Sequence, residues 1–202
     1  KSAHDVNQWL AREGASFFRP PVSYYRHWIR SLPASGKLPA LRTVSLGGQA
    51  VSWDDLLAFR ERFPEGRRIV HRYAVTECNL VAQAVLDSGS IEEEKGSVPL
   101  GFPAAGKRVL VVGEDGEELK PGEAGQVAVI GDCLSPGYWG RPDLTAERFV
   151  ELPEGLRMFL TGDLGRIRPD GQLELLGRRD GQLKIRGFRV EPAQVERAIR
   201  DI

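Results

Sequence analysis

Four stretches of this 202-residue chain place polar side chains at strand ends and turns, where sites are commonly built. In Tyr73-Ala74-Val75-Thr76-Glu77, just past an apolar strand, a flat phenol ring can face a nucleobase. The hydroxyl can reach a phosphate oxygen, and the carboxylate can hold Mg²⁺ beside that phosphate. The same five residues read equally as a loop with a capping threonine, because short motifs also arise by chance. In Leu160-Thr161-Gly162-Asp163-Leu164 a carboxylate falls in an expected tight turn between two strands. Its paired oxygens suit the vicinal hydroxyls of a ribose, or the amides of the turn itself. The run Gly177-Arg178-Arg179-Asp180-Gly181-Gln182-Leu183-Lys184-Ile185-Arg186-Gly187 packs charges among glycines, as in a mobile linker leading into a cationic strand or in a solvated hairpin. Ser135-Pro136-Gly137-Tyr138-Trp139 reads as a turn whose two aromatics support the fold.

The elements that must position these residues change character along the chain. Helical periodicity covers residues 22–31 and 51–62, the second with Trp53, Leu56, Leu57 and Phe59 as its apolar face. Between them, residues 41–46 predict a short strand stopped by Gly47-Gly48. Further strands are predicted at 69–73 and 80–86, giving the rhythm of a layered α/β unit. From about residue 97 the texture is β-rich. Residues 108–112 and 126–130 predict an antiparallel pair, and the whole reads as a small barrel. A short helix at 143–149, strands at 157–160, 166–168, 173–176 and 183–187, and a helix beginning at Pro192 complete the pattern. The expected organisation is therefore an α/β part over 1–96, a β-rich subdomain over 97–179, and a hinge with the start of a further subdomain over 180–202.

Composition narrows the function. Lys and Arg total 28 and Asp and Glu total 28, so no basic excess exists to neutralise a phosphate backbone, and nucleic acid is not an expected partner. At 41% hydrophobic and 28% charged the chain has the composition of a globular domain rather than a disordered one. Cys78 and Cys133 are 55 positions apart and the three His are scattered singly, so the sequence shows no zinc-type spacing. No apolar run reaches the length of a membrane span and residues 1–5 lead into no signal-peptide core, which makes a cytoplasmic protein the expectation.

Taken together and in this order, the motifs resemble those of the adenylate-forming superfamily, which includes acyl-CoA synthetases, luciferases and the adenylation domains of nonribosomal peptide synthetases. Tyr73 to Glu77 resembles the family's Tyr-Gly-x-Thr-Glu motif, with Ala74 where Gly is usual. Gly137-Tyr138-Trp139 with Arg141 to Phe149 is similar to the next core motif, and Thr161-Gly162-Asp163-Leu164 to its Thr-Gly-Asp motif. Gly177 to Glu191 matches the hinge motif in its peptide-synthetase form, and Leu41 to Gly48 resembles the strand and Gly-Gly turn before the nucleotide motif. The implied fold is the later part of the large N-terminal subdomain of an adenylate-forming enzyme, running into the small C-terminal subdomain.

The resemblance implies that a carboxylic acid, in the peptide-synthetase form an amino acid, attacks the α-phosphate of ATP to give acyl-AMP and pyrophosphate. The acyl group then passes to the phosphopantetheine thiol of a carrier-protein domain, or to coenzyme A. By the same resemblance Tyr73 stacks on adenine, Thr76 contacts the α-phosphate, Glu77 binds Mg²⁺, and Asp163 and Arg178 grip the ribose. Phe18, Ser45, Gly47, Arg72, Leu80 and Val81 line the acyl pocket, with Arg72 expected to point to solvent because a buried unpaired charge is expensive. Asp180 is the hinge pivot and Lys184 belongs to the strand that swings with it. Two departures stand out. The family's glycine- and hydroxyl-rich phosphate loop has no counterpart in residues 1–72, and its distal lysine lies far beyond a hinge that here is followed by 22 residues. The chain therefore reads as one part of an adenylation domain, inactive without the remaining parts. A stand-alone acyl- or aryl-CoA ligase and a non-catalytic scaffold next to an inserted domain are the alternatives.

Overall fold

The computed structural model describes residues 3–33, 38–63, 65–92, 97–179, 183–185, 188–190 and 199. In chain order the elements are α1 (Ala3–Arg12), β1 (Phe17–Phe18), α2 (Val22–Ser31), β2 (Thr43–Gly47), α3 (Trp53–Arg62), β3 (Arg68–Val75), β4 (Asn79–Asp87), β5 (Phe102–Pro103), β6 (Lys107–Val112), β7 (Gly125–Gly131), α4 (Pro142–Arg148), β8 (Phe149–Glu151), β9 (Arg157–Ile167), β10 (Leu173–Arg178), β11 (Leu183–Ile185) and β12 (Phe188–Val190). They form two compact units, residues 1–72 with 84–98, and residues 73–83 with 99–202. Residues 73–83, which the sequence groups with the α/β part, thus fall in the second unit, because β3 and β4 each contribute to both.

In the first unit β1, β2 and β3 run parallel, with Phe18 opposite Val44 and Gly47 opposite Arg72. One core joins Leu10 of α1, Tyr25, Trp28 and Ile29 of α2, Leu56 and Phe59 of α3, and Val44, Leu46 and Ile69 of the strands. The sequence did not announce α1. Its contribution is Leu10, with Val6 one turn earlier packed at the edge, too sparse a pattern to read as periodic.

Helix α3 begins where local chemistry dictates. Ser52 Oγ accepts from Asp55 N at 3.3 Å while the Asp55 carboxylate accepts from Ser52 N at 2.9 Å, a reciprocal cap. Arg26 of α2 donates to the same carboxylate through Nε at 2.9 Å and Nη2 at 2.8 Å, tying two helices together with a forked ion pair. Burial works against the charged form of Asp55, but the Arg26 and Ser52 donors outweigh it and hold the carboxyl below its usual range.

In the second unit β10, β9, β7 and β6 lie side by side and antiparallel, with β8 also paired to β9. The expected β6–β7 pair is present, with Val109 opposite Val129. The expected barrel is not: among the described residues this sheet is open, with β6 and β10 as its edges. Its core gathers Tyr73, Val81, Leu100, Val109, Val127, Val129, Phe149, Phe159 and Leu173.

The sequence also places Thr161-Gly162-Asp163 in a turn between two strands, whereas the structure runs β9 unbroken through them. Gly162, at φ +75°, takes up the local twist, and the β7–β9 register slips between Gln126 and Ala128. This is the behaviour of a bulge rather than a reversal, and a glycine inside a strand pattern announces both alike. Helix α4 carries Pro142 in its first turn, where no backbone N–H is missed. The predicted strand at 183–187 appears as β11 paired with β12. Residues 186–187, the hinge residue Asp180 and the helix expected from Pro192 lie outside the described residues. Among the described residues no helix is long and apolar enough to cross a membrane.

Candidate functional site

Three motif residues converge in the second unit. The Tyr73 hydroxyl, at the end of β3, donates to Asp163 Oδ2. Arg178 Nη1, on β10, donates to Asp163 Oδ1 at 2.9 Å. Antiparallel pairing sets Arg178 directly opposite Asp163, so the ion pair follows from strand register. Beneath them Thr161 Oγ donates to the Val127 carbonyl at 2.8 Å and accepts from Asp163 N at 3.0 Å, which fixes the backbone that presents the carboxylate. Asp163 is 4% exposed. Burial, then the neighbouring Asp163 charge, pushes the Tyr73 hydroxyl well above its ordinary range, so it stays a neutral donor to a carboxylate. Tyr73 is also 4% exposed, and a base stacking on its ring requires that side chain to be uncovered.

Glu77 stands in the turn between β3 and β4. Cys78 N donates to the Val75 carbonyl at 3.3 Å, and Asn79 at φ +58° turns the chain back, a conformation asparagine tolerates better than most residues. The Tyr138 hydroxyl donates to Glu77 Oε1 at 2.8 Å and Ser135 N donates to the Glu77 carbonyl at 2.6 Å. Arg157 braces that bracket. It donates to the Ser135 carbonyl at 2.9 Å, to Pro136 at 3.2 Å and to Glu151 at 2.8 Å. Its guanidinium lies 4.9 Å from the centre of the Phe149 ring, which meets Tyr138 edge-on at 5.9 Å. On the other side Lys107 Nζ donates to the carbonyls of Cys78 and of Leu80, the latter at 2.6 Å. Thr76 is exposed and Glu77 half-buried. Among the described residues no group of three or more His, Cys, Asp or Glu side chains could hold a metal. The Glu77 carboxylate is a hard oxygen donor, the ligand type that Mg²⁺ takes.

Tyr138 and Lys107 are the residues that sequence reasoning did not mark for the site. In the sequence Tyr138 reads as fold support, and its link to Glu77, 61 positions away, is visible only after folding. Lys107 sits in a strand and carries no local signal.

The expected acyl-pocket residues divide between the units. Phe18 packs edge-on against Trp28 at 5.0 Å, on the core side of β1 with its partner Val44. Ser45, Gly47 and Arg72 share the opposite face of the parallel strands by alternation and register. Arg72 is half-buried rather than turned out to solvent. Leu80 and Val81 belong to the second unit, Val81 fully buried in its core. Lys184 is placed on β11.

The two cysteines differ in chemistry. Burial, with a smaller push from Glu77 and against a pull from Lys107, raises the Cys78 thiol to about 11, while Cys133 is exposed. The thiolate is the reactive form. Alkylation at pH 8 followed by peptide mapping is expected to find label on Cys133 and none on Cys78 until the protein is denatured. Equal labelling of both in the native state contradicts the packing around Cys78.

The AMP-binding enzyme family matches residues 2–139. A probable non-canonical nonribosomal peptide synthetase, CymA, from Salinispora arenicola is 38% identical over 203 residues, covering 98% of this chain and 2% of that protein. A dimodular nonribosomal peptide synthase from Bacillus subtilis is 37% identical over 199 residues, covering 94% of this chain and 8% of that protein. The chain thus spans a small fraction of the length of these relatives. Among solved structures, holo-PA1221, an NRPS protein containing adenylation and PCP domains, superposes with a TM-score of 0.87 at 29% identity, covering 99% of this chain and 35% of that one. The architecture of parallel α/β layer and antiparallel sheet is accordingly part of the adenylate-forming fold, and the chain belongs to the AMP-binding enzyme family.

Proposed function

We propose that this chain is part of an adenylation domain that activates a carboxylic acid, in the peptide-synthetase setting an amino acid, as acyl-AMP at the expense of ATP. The acyl group is then delivered to the phosphopantetheine thiol of a carrier-protein domain. The convergence of Tyr73 and Arg178 on Asp163 carries this reading. Three motif residues, Tyr73 lying 90 positions from Asp163, meet at one buried carboxylate, as a nucleoside site requires and a set of unrelated loops does not. The 35% share of holo-PA1221 supports reading the chain as one part of a longer catalytic domain.

In this reading each Asp163 oxygen already accepts one hydrogen bond and keeps a further acceptor direction for a ribose hydroxyl. Arg178 holds the carboxylate in place, and Thr76 lies exposed for a phosphate oxygen. Mg²⁺, when bound, neutralises charge on the phosphates. Glu77 would hold it through its carboxylate. Tyr138 orients that carboxylate. Asp180 and Lys184 would belong to the hinge and to the strand that moves with it.

The full-length protein, assayed for ATP–pyrophosphate exchange against a panel of carboxylic and amino acids, is expected to exchange with a narrow subset. Exchange with no acid at all overturns the proposal. Tyr138→Phe removes one hydrogen bond to a charged group, worth about 1.5–3 kcal/mol. It is expected to raise the Mg²⁺ concentration needed for half-maximal exchange by about tenfold while the fold persists. An unchanged Mg²⁺ dependence separates Tyr138 from metal positioning.

A further inference from the structure

We propose that the acid taken by this chain carries a second carboxylate, held beside β2 and β3 and next to the end of β1 by Arg72 and Arg19 with the Ser45 hydroxyl. The inference rests on the adenylation reading above for the activation step, and on the first unit alone for the subsite. Parallel strands leave their ligands near their carboxyl ends: Arg19 follows β1, Ser45 stands two residues before the end of β2, and Arg72 lies on β3 beside that end. Arg19 directly follows Phe18, the partner of Val44, and Arg72 lies opposite Gly47, two residues after Ser45. Gly47 keeps this place open: a Cβ there would come within 2.7 Å of the Arg72 carbonyl oxygen and 3.3 Å of Arg72 Cβ. Any larger residue would push against the strand that presents the guanidinium.

Among the described residues no carboxylate lies within ion-pair distance of either arginine. Ser45 is 1% exposed, yet its hydroxyl makes no hydrogen bond. A buried hydroxyl without a partner and two guanidiniums close enough to repel each other both cost free energy. Burial, then the Arg19 charge, lowers the Arg72 pKa. A carboxylate relieves all three at once, because it accepts a forked pair from one guanidinium, screens the second and accepts a hydrogen bond from the hydroxyl. A neutral amide of the same shape satisfies the hydroxyl and leaves the repulsion in place.

The test uses the full-length protein with glutamate and its isosteric amide glutamine in ATP–pyrophosphate exchange, and with glutarate in titration calorimetry without ATP. Glutamate is expected to exceed glutamine in kcat/KM by about 100-fold, the size of effect seen when a desolvated charge pair loses one member. Arg72→Met is expected to abolish that preference and Arg72→Lys to restore part of it. Arg19→Ala, at an exposed position that leaves the fold intact, should reduce the preference by about tenfold. Exchange with leucine as fast as with glutamate, or a glutamate preference untouched by both arginine variants, overturns the proposal. Glutarate binding that disappears in Arg72→Met without exchange for any acid upholds the subsite while the adenylation reading fails. No glutarate binding and no exchange overturns both.

Discussion

Replacing Asp163 with alanine in the full-length protein is expected to destabilise the second unit by about 3–5 kcal/mol and to remove measurable ATP binding. The side chains of the pair are 5% and 14% exposed, so the deletion takes the Asp163 carboxylate from the Arg178 charge in a mostly dry site. It also leaves the buried Tyr73 hydroxyl without its acceptor. Asp163→Asn keeps the shape and an acceptor for Tyr73 but discards the charge. Its stability loss should be smaller, while the defect in nucleotide affinity persists. A double-mutant cycle with Arg178→Met separates the two contributions. If the pair is the interaction that matters, the double variant is more stable than the sum of the single losses predicts. Urea denaturation gives the stability terms and calorimetry with ATP the affinities. Wild-type nucleotide affinity in Asp163→Ala contradicts the ribose role.

Trp28→Ala is expected to cost about 3–5 kcal/mol in the first unit. The indole is completely buried, lies 5.0 Å from the Phe18 ring, 6.1 Å from Tyr25 and 6.3 Å from Phe63, and donates through Nε1 to Asn7 Oδ1 at 2.5 Å. Truncation opens a cavity between three rings and removes the hydrogen bond that ties α2 to Asn7 of α1. Trp28→Phe retains an aromatic ring and loses the hydrogen bond, so its cost should fall well below that of the alanine variant. Denaturant midpoints measured on both variants check the order. A Trp28→Ala protein with an unchanged midpoint means that α2 is not anchored through this residue.

The residues that could do chemistry were legible because their types are specific and they are local. Tyr73, Thr76 and Glu77 sit within five positions, and Thr161 to Asp163 within three. The strand and hairpin pattern was legible from alternation, and α2 and α3 from their 3.6-residue period. Where the reading failed, the cause was a residue with two meanings. Gly162 marks a bulge as readily as a turn, so one strand was read as two. Residue alternation alone cannot show whether a run of antiparallel strands closes, so an open sheet was read as a barrel. Arg72 was expected in solvent because an unpaired charge is costly to bury, yet the half-buried position it occupies follows from its pairing with Gly47, a contact between positions 25 apart.

By itself the sequence determined which side chains are available, the family they belong to, and most of the strands and helices, since these depend on short-range patterning and local propensity. Tertiary structure alone decided that Tyr73 and Arg178 meet at Asp163, that Tyr138 and Lys107 hold the turn bearing Glu77, and that Ser45 and Gly47 of β2 share a face with Arg72 of β3. Each of these is set by strand register and by which faces pack together, and the free energy of burying those faces, not the identity of any one residue, fixes the register.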